Sequence, residues 1–157
     1  MANYSLISVW RIPASRQVVW DALVHTEDWP VWWPHVRSVE ELQPGDPSGI
    51  GNVRRYCWST CLPYRLILDL QVIRLEAQRL IETRVSGDLV GHGRCLLSRQ
   101  DAVTNVQYEW NVRTCRPWMN WLAPVAYPVF VWNHAQVMRN GERRLIVRLA
   151  RQTQSRP

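Results

Sequence analysis

The sequence predicts an α+β fold: a curved antiparallel sheet of about six to seven strands wrapped around a long C-terminal helix, with two short helices after the first strand. Three observations carry that prediction. Residues 125–151 are the one long stretch with a helical period, in which Phe130, His134, Val137 or Met138, Gly141, Leu145 and Leu149 recur at three- and four-residue steps and so share a face. Most of the preceding chain alternates with a period of two, in segments joined by hairpin-length connections, the pattern of a meander. Two short helical patterns interrupt that order directly after the first strand. A sheet of this size curls, and a helix laid over its concave side with imperfect filling leaves a cavity.

In chain order, residues 4–12 set Tyr4, Leu6, Ser8, Trp10 and Ile12 against Ser5, Ile7, Val9 and Arg11, a first strand expected to be partly covered on both faces. Pro13 ends it. Ser15 is placed to cap a helix over residues 16–24, with Val19, Ala22 and Leu23 on one face and Trp20 at its edge. Residues 28–34 read as a second helical turn, since Pro30 is tolerated early and Pro34 stops it. A strand over residues 36–42 and a loop over 44–51 follow. Residues 52–61 form the next strand, with Arg54, Tyr56 and Trp58 on one side and Arg55, Cys57 and Ser59 on the other. Strands over residues 65–75 and 80–86 are linked by a tight connection, and Gly87-Asp88 supplies hairpin chemistry. Gly91 and Gly93 weaken, kink or bulge a strand running to about Arg99. Residues 103–114 alternate most strictly, with Thr104, Val106, Tyr108, Trp110, Val112 and Thr114 on one face. Residues 117–124 read as a short amphipathic turn before the long helix, whose first turn suits Pro128.

With 157 residues, the chain is expected to be one domain, residues 1–157. No apolar run approaches the ~20 residues of a membrane span, and the N-terminus lacks the pattern of a signal peptide; a cytoplasmic protein is expected. All 19 basic residues are arginine, which excludes a Schiff-base lysine and a Walker-type phosphate loop. The arginines behind the net charge of +6 run from Arg11 to Arg156 with no sustained cluster, so nucleic acid is not an expected partner, even by stacking on tryptophan. Ten tryptophans are the compositional anomaly, and five lie in WPVWWP (Trp29, Trp32, Trp33) and PWMNW (Trp118, Trp121). Such side chains suit ligand walls and interfaces as well as cores. Among Cys57, Cys61, Cys95 and Cys115 only the first two have knuckle spacing, so reduced, mostly buried thiols are expected and no metal.

The layout resembles the START-like, helix-grip superfamily, often labelled SRPBCC, and within it the polyketide cyclase/dehydrase-like proteins. The resemblance rests on IPAS ending the first strand, VVWDAL (18–23), WPVWWP (29–34), GDPSGIG (45–51), GDLVGHG (87–93), TNVQYEWNV (104–112) and WNHAQVMRNGERRL (132–145). It covers nearly the whole chain. It implies the helix-grip fold and a hydrophobic or aromatic small molecule, lipid- or polyketide-like, held under the helix. The superfamily holds carriers, receptors and enzymes on one scaffold, so the resemblance is weak for chemistry. No iron-binding ligand set or cofactor motif is evident, and no cofactor is expected.

The candidate site residues follow from these faces. His134 lies on the covered side of the helix with Phe130 and Met138, either as a satisfied core histidine or as a ligand-facing donor or base. Tyr108 and Trp110 are plain core or cavity wall. Arg54 shares a face with Tyr56 and Trp58, so it either reaches water at a rim or needs an acidic partner inside. Asp88 serves the turn or the cavity mouth, and His92 the surface or the cavity. Two functions are carried forward. One is binding of an apolar small molecule. The other is a cyclase or dehydratase using His134 with Tyr108 or Asp88 in proton transfer. A homodimer is left open.

Overall fold

The computed structural model describes residues 3–155. β1 (Asn3–Ile12) leads into α1 (Arg16–Val24), a 3-10 turn (Thr26–Asp28) and α2 (Trp29–Trp32). The strands β2 (Val36–Gln43), β3 (Val53–Ser59), β4 (Arg65–Glu76), β5 (Leu80–Gly87), β6 (Leu89–Gln100) and β7 (Val103–Thr114) follow, and α3 (Pro117–Gln154) ends the described chain. The seven strands form one antiparallel sheet in the order β1-β7-β6-β5-β4-β3-β2. The meander is therefore continuous from β2 to β7, and β1 adds beside β7, pairing Tyr4 with Val112 and Trp10 with Val106.

Alternation decides which face each strand turns to the core. In β7, Thr104, Val106, Tyr108, Val112 and Thr114 are all buried, as a one-sided strand requires. β1 departs from expectation. Tyr4, Trp10 and Ile12 are buried, but Ile7 and Val9 are exposed. No described element covers the second face of β1, so only the period-two set matching β7's inner residues is enclosed.

The helices close the concave side. The Ser15 hydroxyl accepts from the Val18 N–H at 3.3 Å and caps α1, whose Val19, Trp20 and Leu23 are buried. α2 delivers Trp33 under α3, where its indole N–H donates to the Val137 carbonyl at 3.1 Å. The anticipated face of α3 is enclosed: Phe130, Val137, Gly141, Leu145 and Leu149 are all buried. Gly141 is a packing position. A Cβ there would stand 2.8 Å from Trp10 Cζ2 and clash with the ring of Trp33.

The start of α3 corrects the sequence reading. Residues 117–124 are not a separate turn; the helix begins at Pro117 and runs through Pro124 and Pro128. Pro117 sits in the first turn, where no N–H is needed. The two interior prolines each remove one helical hydrogen bond, at a typical cost of ~3 kcal/mol. Aromatic contacts hold the segment against the sheet: Tyr4 stacks on Tyr127 at 5.0 Å, and Tyr64 and Phe130 meet Trp118 edge-on at 5.5 and 6.2 Å. Tertiary packing overrides propensity here.

The thiols also differ from expectation. All four are unpaired, but only Cys95 is buried; Cys57 is intermediate and Cys61 and Cys115 are exposed. Cys61 and Cys115 lie just outside β3 and β7, beyond the covered part of the sheet.

Candidate functional site

Filling between sheet and α3 is incomplete, and two adjoining cavities result. The larger, about 510 Å³, lies between the β2–β3 side of the sheet, the α1–α2 corner and α3; Trp29, Arg54, Tyr56, Val72 and Tyr108 contribute to its wall. The smaller, about 120 Å³, lies under the first half of α3, among Tyr4, Tyr64, Leu68, Met119, Phe130 and His134. Trp58, Trp110 and Met138 line both and stand between them.

Five of the ten tryptophans, Trp20, Trp29, Trp33, Trp58 and Trp110, line these cavities. Trp10, Trp29, Trp32, Trp33 and Trp58 form a continuous aromatic cluster with Tyr56 and Tyr108, at centroid separations from 4.8 to 6.4 Å. Rigid rings on adjacent strands and on α2 leave gaps that flexible side chains would fill. The cavity is thus a consequence of which side chains face inward.

A few polar groups punctuate the apolar surface. The Tyr4 hydroxyl, the Trp58 indole N–H and Nε2 of His134 are sealed from solvent without a hydrogen-bond partner among the described residues, whereas the buried Tyr108 hydroxyl faces the Cys95 thiol. An unsatisfied buried donor or acceptor costs about 1–3 kcal/mol, which a ligand bearing the matching group would recover. Burial pushes the His134 pKa down to about 4, so its ring is neutral at pH 7. Burial likewise raises Tyr108 well above its ordinary value. Its register partner on β6 is Cys95, whose thiol burial pushes up to about 12.

Arg54 is committed. Its guanidinium donates to Thr26 Oγ1 at 2.6 Å and to the Val24 carbonyl at 3.2 Å, and pairs with Glu27 at 3.4 Å. It ties β3 to the α1–α2 corner at the edge of the larger cavity. Of the residues singled out in the sequence, Arg54, Tyr56, Trp58, Tyr108, Trp110, Phe130, His134 and Met138 line the cavities. Tyr108 lines only the larger and His134 only the smaller, so these two do not share a compartment.

His92 and Asp88 line neither cavity. His92 is exposed, because strand alternation turns its neighbours Gly93 and Cys95 inward or flush and leaves it outside. Asp88 holds the β5–β6 turn to its surroundings: its carboxylate accepts from the Ile67 N–H at 2.8 Å and pairs with Arg116 at 2.8 Å. Those bonds hold its carboxyl below the usual range against the opposing effect of burial.

Sequence reasoning did not single out Tyr4, Tyr64 or Asn133. Asn133 Oδ1 accepts from the Cys61 N–H at 2.9 Å, and Nδ2 donates to the Tyr64 hydroxyl at 3.2 Å, linking α3 to the β3–β4 connection. Tyr4 was legible from the inward register it shares with Trp10; the Asn133 contact spans 72 positions to Cys61 and has no local signal.

The same architecture occurs in solved structures that differ widely in sequence. A START superfamily protein from Mycobacterium smegmatis matches with a TM-score of 0.74 at 15% identity, over 94% of this chain and 97% of that one. The chain has the START-like helix-grip fold. A protein from Thermus thermophilus (TM-score 0.70, 13% identity, 92% and 98% covered) has the same fold as this chain. So does the ginseng major latex-like protein 151 from Panax ginseng (0.64, 13%, 89% and 95%). No family model and no curated protein sequence matches the chain. In this START-like frame the cavities lie between the grip of the sheet and α3. Among the described residues, no cluster of three or more His, Cys, Asp or Glu is placed to hold a metal ion. No described helix is long and apolar enough to cross a membrane.

Proposed function

We propose that the chain, acting as one START-like domain over residues 1–157, binds a neutral hydrophobic small molecule with an aromatic or polycyclic body and a hydroxyl or carbonyl group. One observation carries this reading: a mostly apolar cavity of about 510 Å³, with Glu41, Asp46, Arg54 and Arg94 also on its wall, adjoins a lobe whose Tyr4 hydroxyl, Trp58 N–H and His134 Nε2 have no partner among the described residues. The volume falls within the usual range for ligand sites, and a few convergent polar groups in an apolar wall are their usual chemistry. A neutral ligand is favoured because His134 is uncharged at pH 7 and the charged groups on the wall are already engaged: Arg54 with Thr26 and Glu27, Arg94 with Glu82 and Glu109, Glu41 with Asn52 and Asp46 with Ser48. Native mass spectrometry of freshly purified protein, with fluorescence titration by the neutral dye Nile red, tests the proposal. Saturable binding is expected, and Val72→Trp, which fills the larger cavity, should weaken it about tenfold, the scale of ~1.4 kcal/mol. Absence of both a co-purifying molecule and saturable binding of several apolar probes would overturn it.

A further inference from the structure

The first half of α3 has two apolar faces, and only one meets the sheet. From Pro117 to Met138 the helix contains no Asp, Glu, Lys or Arg. Inward it buries Met119 and Phe130. Outward, Trp118, Trp121, Leu122, Val125, Val129 and Trp132 fall within one helical arc at three- and four-residue steps, and all are exposed. Trp121 is 82% exposed and Val125 83%. At about 200 Å² for a fully exposed aromatic, the three tryptophans alone present on the order of 350 Å². The aliphatic side chains between them bring the stripe to the upper end of what a monomer ordinarily shows.

The chemistry of the same helix changes abruptly beyond this stripe. Between residues 139 and 151 it carries Arg139, Arg143, Arg144, Arg148 and Arg151 against Glu142 alone, and Glu142 is engaged by the Arg11 backbone N–H at 2.9 Å. Arg139 and Arg143 continue the arc of the apolar stripe and are exposed. An exposed Trp-rich apolar arc that runs on into arginines along the same line of the helix can set its indoles at the headgroup level and its guanidiniums on lipid phosphates.

The geometry points to docking of this face of α3, roughly parallel to the surface, on a bilayer containing anionic lipid. Charge complementarity selects that occupant over a second copy of the chain. Two chains of net charge +6 would bring like charges together, whereas an anionic surface attracts the arginines. The inner side of the same helix segment lines the smaller cavity, so a docked molecule would have that cavity one helix diameter from the lipid. The docking does not depend on the identity of any ligand or on whether one is bound.

Flotation with vesicles of phosphatidylcholine mixed with phosphatidylserine, and with phosphatidylcholine alone, provides the test. The wild-type chain is expected to float with the mixed vesicles and to be released by salt. The Trp121→Ser/Val125→Ser double variant removes only exposed side chains and should keep the wild-type circular dichroism spectrum while binding at least about tenfold more weakly. Arg139→Gln/Arg143→Gln should weaken binding to the mixed vesicles by about fivefold per arginine and leave phosphatidylcholine unaffected. Failure to float, equal binding by the folded Trp121→Ser/Val125→Ser variant, or equal binding to both vesicle types overturns the proposal. So does a dimer in sedimentation equilibrium that the same double variant abolishes, which would assign the face to a second copy.

Discussion

His134 is the residue whose environment can be read most directly in solution. Its folded pKa, about 4, lies below the value of 6.5 in the unfolded chain. Between these values the unfolded state binds more protons, so stability falls as pH drops from about 6.5 towards 4 and is unaffected above that window. Urea titrations at a series of pH values should show a loss of at most roughly 3 kcal/mol, which His134→Gln should largely abolish. The same variant separates binding from turnover. If the ring only orients a ligand, affinity should change by about 1 kcal/mol; intact binding with a 10²–10⁴-fold fall in turnover of an identified substrate would make it an acid–base group. Gly141→Ala sets a modest gain in helix propensity, about 1 kcal/mol, against a collision with Trp10 and Trp33. Overpacking of this kind costs about 1–3 kcal/mol, and a lower urea midpoint is expected. The helix period exposed Gly141 as an anomaly, but only the positions of Trp10 and Trp33, more than a hundred residues earlier, explain it. Thiol reactivity follows burial: a disulfide reagent should modify Cys61 and Cys115 rapidly in the native protein, and Cys95 only after denaturation.

At the scale of the element, α3 shows where local signals stop. Its second half was legible because the apolar positions keep a helical period and the opposite face is basic. Residues 117–124 were not read as part of it, because Pro124 argues locally for a break and Pro128 suits a first turn. The segment is helical because Tyr4, Tyr64 and the sheet receive its inner side. Both prolines are exposed, so Pro124→Ala should restore a backbone donor without disturbing packing. A gain of about 1–3 kcal/mol and slower amide exchange across residues 117–130 are expected; no change in either would mean that the prolines are matched to their surroundings. β7 and β4 were legible for the opposite reason, since an alternating pattern identifies the strand and its inner face together. β1 was misjudged because two faces of apolar side chains look the same whether both are covered or only one.

Across the whole molecule, the meander from β2 to β7 and its inward faces followed from alternation and hairpin spacing, which is why eight of the candidate residues line a cavity; the place of β1 beside β7 had no local signal. The division of the space did not follow, because it depends on how three side chains from β3, β7 and α3 meet. Trp58 and Trp110 are rigid indoles, whereas Met138 has an unbranched, readily rearranged side chain. This makes the boundary a threshold in ligand length. In a homologous series such as the n-alkylbenzenes, affinity should climb smoothly while the chain occupies one compartment, then level off where the next methylene must displace the thioether. Once the threshold is passed the climb should resume. Met138→Ala should erase the plateau, so that isothermal titration across the series yields a straight line in place of two slopes.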